Sequence, residues 1–472
     1  MRLQRSGFWF WTALALAAGL ALRLCFIHYI ARVAGDSIVY GSIARNWMQH
    51  GIYGFNELNG IPQPTLIRLP GYPLFLIVCF RIFGIEQYTA IMYVQVVIDL
   101  ASCLLIAALA DRLFGPRARM IALWLAALCP FTASYVAAPL TETLTLATIV
   151  LAFYALYRWQ QAGPTFNRWL WILTGTLSYS ILLRPEQGLL AAAIVPAMLW
   201  IAIRPRTTNL IHATIPVVVA SLCILLPLIP WTIRNERTFH VFQPLAPHYA
   251  TDPGEPVPLG FQRWYRTWAI DFASTEDIYW NYDGAPIQIS DLPDRAFDSD
   301  TQYTRTAALL DDYNRTTTPS ATLDDRFAAL ASERIANDPI RYYLFLPVAR
   351  VLNMALRPRV EMFPTPLQWW KYHEDPRQTI FSAAYATLNL AYFALAAIGI
   401  ALWRRRHWTG NAPIAWALFA SILLRTAVLL TLDNSEPRYT LEFFPVIFLL
   451  AAIPFTHNSK NSPVEHQKQL SS

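Results

Sequence analysis

Long apolar runs broken by short polar stretches set the period of this chain. Ten of them, at 8–28, 88–110, 118–137, 142–159, 168–183, 187–203, 210–230, 379–403, 412–432 and 439–456, read as membrane-spanning helices. A span needs about 20 apolar residues to cross roughly 30 Å of hydrocarbon. A barrel would instead alternate apolar and polar positions over segments of about ten residues. The first run is too long for a signal-peptide core and no small-residue cleavage site follows it, so it is expected to stay as a helix. Two polar stretches interrupt the runs. The shorter, 29–87, opens with "GDSIVYGSIARNWMQHGIYGFN", where Val39, Ile43 and Trp47 share one helical face. The longer, 231–378, holds "TLDDRFAALASERIAND", an amphipathic helix with a capping-box start at Thr322 and Asp325. Within it the segment 340–357 is apolar enough to span. Pro347 and the arginines Arg341, Arg350 and Arg357 favour a helix lying along the interface.

Composition agrees. Hydrophobic residues make up 55% of the 472 and charged residues 14%, well below the quarter or so typical of soluble domains. The expected fold is an all-α polytopic membrane protein, a bundle of about ten transmembrane helices with an extracytoplasmic domain. The net charge of +6 is spread through short loops without stacking aromatics, which argues against nucleic acid. The five cysteines form no CxxC pair. Basic residues gather in the N-terminus and in "DRLFGPRAR", "YRWQQAGPTFNRW", "RPRTT" and "RRRHW". The positive-inside rule puts these, with both termini, in the cytoplasm. The first outer loop, the turns around Glu142 and "RPEQ", the 231–378 stretch with most of the 31 acidic residues, and "DNSEPR" then face outward. The expected organisation is an N-terminal transmembrane catalytic module (1–230, with outer loop 29–87), an extracytoplasmic domain with an interfacial helix (231–378), C-terminal spans (379–456) and a cytoplasmic tail (457–472).

Several outward positions carry candidate chemistry, each beside a structural alternative. Asp36 is either a helix N-cap or a general base at the outer membrane surface. Arg68, set before the "PGYP" turn that contains Tyr72, either snorkels to headgroups or presents a guanidinium to a phosphate. Glu142 complements a helix dipole, or it orients an acceptor or coordinates a divalent metal. Arg184 and Glu186 in "LLRPEQ" and Arg234 in "PWTIRN" mark proline-broken outer turns. Arg438 and Tyr439 open the last span. Arg438 either pairs with Glu442 one turn below or binds the phosphate of a lipid-borne substrate. Asp99, inside the second span, is expected to make an internal hydrogen bond. "KYHEDPR" matches no metal motif, and the sequon at Asn314 carries no information here.

The order "GDSIVYGSIARNWMQHGIYGF", "PTLIRLPGYPLFL", "LADRLFG", "PLTETL", "LLRPE", "PWTIRN", "EPRYTLEFFP" resembles the GT-C superfamily, over roughly 8–456. Its nearest likeness is the bacterial protein O-mannosyltransferase-like group that includes the lipid A aminoarabinose transferase. The resemblance implies a GT-C-type bundle in the bacterial inner membrane and a polyprenyl-phosphate-linked sugar donor. It implies transfer to an envelope acceptor (lipid, polysaccharide or protein) on the periplasmic face. It implies Asp36 and Glu142 as catalytic acids, and Arg68, Tyr72, Arg184, Glu186, Arg234, Arg438 and Tyr439 as substrate contacts. Mannosyltransferases of proteins often carry two adjacent acids in the first loop. Here Ser37 follows Asp36, which fits the single-acid members. The competing readings are a transporter or flippase of a lipid-linked substrate and a non-catalytic relative in an envelope-polysaccharide complex. The transporter reading would need essential charge deep in the helices, with Asp99 its main candidate.

Overall fold

The structure, a computed structural model, describes residues 2–204, 210–405 and 411–456. Part of the basic loops "RPRTT" and "RRRHW", and the tail 457–472, lie outside the described residues. The N-terminal half runs α1 (Arg2–Ile30), α2 (Asp36–His50), the hairpin β1 (Gly54–Leu58) and β2 (Ile61–Pro64), α3 (Gly71–Phe83), α4 (Tyr88–Phe114), α5 (Pro116–Ala127), α6 (Pro130–Ala133), α7 (Glu142–Ala162), α8 (Arg168–Leu183), α9 (Gly188–Ile203), α10 (Leu210–Leu225) and α11 (Leu228–Phe239). The rest runs α12 (Leu259–Arg266), α13 (Phe272–Ser274), α14 (Asp300–Asn314), α15 (Ala321–Asn337), α16 (Leu346–Leu356), α17 (Pro376–Arg405), α18 (Ala412–Leu429) and α19 (Phe444–Ala451).

Local chemistry sets the boundaries. Gly115, at φ +95°, closes α4, and Pro116 opens α5. The Asn167 side chain accepts from the Trp169 and Leu170 amides and caps α8. α15 is capped by Ser320, which accepts from the Leu323 amide, so the expected start at Thr322 is corrected by two residues. Asp324 is used otherwise. Its carboxylate accepts from the Gly260 and Phe261 amides, both at 2.9 Å, and ties α12 to α15.

All ten expected spans fall on helices. Among the described residues seven helices are long and apolar enough to cross a membrane, eight if the 48° bend between α5 and Pro130–Ala137 counts as one span. The remaining two are α7, whose threonines and tyrosines dilute its apolar run, and α8, with 16 residues. They pack on each other within the main core. Two boundaries differ from expectation. α10 and α11 together run to Phe239, so Arg234 sits on a helix rather than at a turn. The last span opens as a 3-10 helix over Pro437–Phe443. Its tighter winding carries Glu442 away from Arg438.

Asp99 has a partner the sequence did not reveal. The Arg23 Nε donates to its carboxylate at 2.6 Å, and Arg23 Nη1 donates to the carbonyls of Gly19 (2.8 Å) and Ala127 (2.7 Å). Both side chains are buried. A buried pair with its donors satisfied is a structural tie between α1, α4 and α5.

Residues 261–331 form a separate core around Phe261, Trp264, Trp268, Leu309 and Phe327. Phe261 stacks on Tyr282 at 3.7 Å. Over 340–356 a π-helical turn (Arg341–Phe345) leads into α16, leaving Ile340, Tyr343, Leu344 and Phe345 exposed and Pro347 and Arg350 buried.

Candidate active site

The helix ends and the 261–331 unit enclose a cavity of about 880 Å³. Asp36 lies on its wall, at the first position of α2 after Gly35. Gly35 has φ +53°, a backbone turn that costs glycine little. The Asp36 side chain makes no capping bond. Its Oδ1 accepts from Arg68 Nη2 at 2.7 Å and its Oδ2 from Arg438 Nη1 at 3.0 Å. The capping alternative is thereby replaced by a carboxylate held between two guanidiniums.

Each arginine is itself held. The Arg68 carbonyl accepts the Tyr53 hydroxyl at 2.9 Å, and the Arg68 guanidinium lies 5.9 Å over the Tyr40 ring. Arg438 Nε donates to Glu436, whose Oε1 accepts the Tyr439 hydroxyl at 2.6 Å. Arg438, Tyr439 and Glu436 all line the cavity. Burial pushes the Asp36 carboxyl up, but the charges of Arg438 and Arg68 outweigh it and hold the group well below the usual carboxylate range. Burial pushes the Tyr40 phenol up to about 12, so it stays a neutral donor.

Glu142 stands behind this triad rather than in the cavity. It is 3% exposed and lies 3.4 Å from Arg184 and 3.8 Å from Arg438, with Oε2 unpartnered. Arg184 pairs with Glu186 at 2.8 Å, and Arg425 with Glu186 at 3.4 Å and Glu442 at 3.2 Å. Asp36, Arg438, Glu142, Arg184, Glu186 and Arg425 thus form a relay of ion pairs running from the cavity into the bundle. Glu442 belongs to its inner end and not to Arg438. Tyr72 is fully buried beneath the cavity and donates to Gln95 at 2.8 Å. Arg234 points into the 29–87 loop, donating to the carbonyls of Thr65 (2.7 Å) and Tyr53 (3.0 Å). Of the nine residues expected from sequence, Asp36, Arg68, Arg438 and Tyr439 meet in the cavity. Glu142, Arg184 and Glu186 back them, and Tyr72 and Arg234 hold the surrounding loops and helices.

Sequence reasoning missed Glu436, Arg425, Tyr135 and Glu361. Glu436 stands inside the quoted "EPRYTLEFFP", where no spacing separates it from its neighbours Arg438 and Tyr439. The others are isolated polar residues with no spacing to flag them. Among the described residues no three of His, Cys, Asp and Glu gather closely enough to hold a metal ion.

Residues 63–233 match the family described as Dolichyl-phosphate-mannose-protein mannosyltransferase. The match covers Arg68, Glu142, Arg184 and Glu186 and falls on the family type to which the motifs pointed. No curated protein matches the chain. Among solved structures, ArnT from Cupriavidus metallidurans bound to undecaprenyl phosphate is similar at 13% identity and TM-score 0.40, over 94% of this chain and 78% of that one. The oligosaccharyltransferase AglB from Archaeoglobus fulgidus, in complex with an inhibitory peptide and a dolichol-phosphate, is similar at 12% identity and TM-score 0.49, over 96% of this chain. The chain spans half the length of AglB.

Proposed function

We propose that this multi-pass membrane protein is a glycosyltransferase that moves a sugar from a polyprenyl-phosphate donor to an envelope acceptor on the periplasmic face. The observation that carries this reading is Asp36 clamped between Arg68 and Arg438 on the wall of a large cavity at the ends of apolar helices. Two guanidiniums side by side suit the oxygens of the donor's phosphodiester and of the monoester it leaves as, and a lipid-borne phosphate would reach them from the bilayer. The matched family, whose description names a dolichyl-phosphate-linked sugar, supports the donor class.

The step follows from the clamp. A donor phosphate competes with Asp36 for the two guanidiniums. Once they turn to the phosphate, Asp36 loses the charges that suppress its basicity and becomes free to accept a proton. The acceptor oxygen attacks the anomeric carbon from the face opposite the phosphate, and its proton passes to Asp36. The bond from the anomeric carbon to the phosphate oxygen breaks, and the electron pair leaves with the polyprenyl phosphate, whose growing charge Arg438 and Arg68 stabilise. One displacement inverts the anomeric configuration. Glu142 acts through Arg438 and Arg184 as a positioning residue. The transporter reading named Asp99 as its main candidate, and Asp99 is paired with Arg23 in a tie between helices.

Asp36→Asn tests the assignment. General-base assistance is worth about 10²–10⁴ in rate. Purified Asp36→Asn protein, given labelled polyprenyl-phosphate sugars and envelope extract, is expected to lose transfer on that scale. It is expected to bind undecaprenyl phosphate at least as tightly, because the carboxylate that competes for Arg68 and Arg438 is neutralised. Wild-type transfer by the variant would remove Asp36 from the chemistry.

A further inference from the structure

Beyond Asp36 the cavity carries a second group of charges that the transfer step leaves unused. Arg32, Glu276, Arg357 and Glu361 all line it. At the Asp36 end Asp36, Arg68, Arg438 and Glu436 are joined in ion pairs; here no ion pair joins any of the four to a described residue. Glu361 Oε1 accepts the Tyr135 hydroxyl at 2.9 Å, and its Oε2 is buried without a partner. The Arg357 guanidinium lies 5.0 Å over the Phe272 ring, and Phe272 meets Trp280 edge-on at 5.6 Å. Trp280 is 47% exposed and lines the same cavity. Phe272, Glu276 and Trp280 reach the cavity from α13 and the π-helical turn (Thr275–Tyr279) that follows it.

A half-exposed indole in a cavity also lined by two carboxylates and two guanidiniums outside the Asp36 clamp fits a sugar. A pyranose offers an apolar C–H face to an aromatic ring and hydroxyls that donate to carboxylates and accept from guanidiniums. An anionic headgroup would meet Glu276 and Glu361, where like charge is costly. A peptide would look for a strand edge, and the β1–β2 hairpin does not line the cavity.

We propose that Trp280, Glu276, Glu361, Arg357 and Arg32 form the saccharide subsite of the acceptor, so that the hydroxyl presented to Asp36 belongs to a sugar. This rests on the transferase reading and names its acceptor class. The test uses the full-length protein in lipid nanodiscs and saturation-transfer NMR. The probes are oligosaccharides released from bacterial envelope polysaccharide and a mixture of Ser/Thr peptides. Enhancement of sugar ring protons is expected, and not of peptide protons, with undecaprenyl-phosphate mannose present or absent. Trp280→Ala and Glu276→Gln are expected to weaken sugar binding about tenfold, with Trp280→Phe keeping most of it. Undecaprenyl phosphate binding is expected to be unchanged in all three, which also reports that they fold.

Displacement of the oligosaccharide by undecaprenyl-phosphate mannose would give the subsite to the donor and overturn the proposal. So would enhancement of peptide protons, or wild-type sugar binding in both Trp280→Ala and Glu276→Gln. Failure of the wild-type protein to bind undecaprenyl phosphate, with sugar binding intact, would instead count against the transferase reading alone.

Discussion

Asp36 is poised against its own proposed role, and the contradiction has a measurable consequence. With Arg68 and Arg438 on its two oxygens, its carboxyl sits well below the ordinary value of about 3.9. In the free protein it stays ionised as pH falls through the usual carboxylate range. The stability this pairing contributes is present above the ordinary value and is lost only as pH falls through the depressed one. Once a phosphate holds the arginines, the same carboxyl moves up toward its ordinary value. The acid limb of kcat/KM for the donor reports the free enzyme and that of kcat reports the loaded one. The limb of kcat is therefore expected at higher pH than that of kcat/KM. Coincident limbs, measured over pH 3–8 in buffered nanodiscs, would show that donor binding does not release Asp36. The residues behind this pair were unevenly legible. Arg68 and Arg438 stand within two residues of a proline, at Pro70 and Pro437, a pattern visible in the sequence. Glu436 and Glu361 carry no period and no repeated neighbour, so only the folded chain shows that one holds Arg438 and the other faces the cavity.

Among the elements, α3 fixes where Arg68 stands. The "RLPGYP" turn leads into α3, and Gly71 packs directly on α8. A Cβ at position 71 would come within 2.5 Å of the Leu182 carbonyl carbon and oxygen, which are backbone atoms without freedom to yield. Gly71→Ala is thus expected to push α3 off α8, costing about 1–3 kcal/mol, as overpacking does elsewhere. Arg68 would shift with it, so a lower apparent Tm should come with weaker undecaprenyl phosphate binding. A stable variant that binds normally would show that Arg68 is positioned by its own loop. The helices themselves were readable, because an apolar run of span length has few other uses. The 3-10 opening of the last span and the extension of α11 to Phe239 were not, since both depend on what the helix ends meet. The 261–331 core was legible only in part: the amphipathic "TLDDRFAALASERIAND" helix supplies Leu323, Phe327 and Leu330 to it, while Phe261, Trp264, Trp268 and Tyr282 are spread over short helices and turns with no shared period.

At the scale of the whole molecule the site exists because distant segments converge. Asp36 and Arg438 are contributed by the 29–87 loop and the last span, yet their side chains meet at 3.0 Å. Convergence means that both open to one compartment, and the positive-inside rule expects the basic loops to open to the other. Ile38 is 54% exposed beside Asp36, and Thr431 is exposed just before the loop that leads to Arg438. Arg117 is exposed in the basic turn between α4 and α5. In a background with the five cysteines replaced, Ile38→Cys and Thr431→Cys are expected to react with a membrane-impermeant maleimide on intact spheroplasts. Arg117→Cys is expected to react only after permeabilisation. Labelling of positions 38 and 431 from opposite sides would break the cavity apart. Labelling of both only after permeabilisation would keep the cavity and move the transfer to the cytoplasmic face. The second outcome would change the donor problem as well. The cytoplasm supplies nucleotide-linked sugars directly, so a lipid-phosphate carrier has its use on the far side, where the paired arginines of this cavity are proposed to receive it.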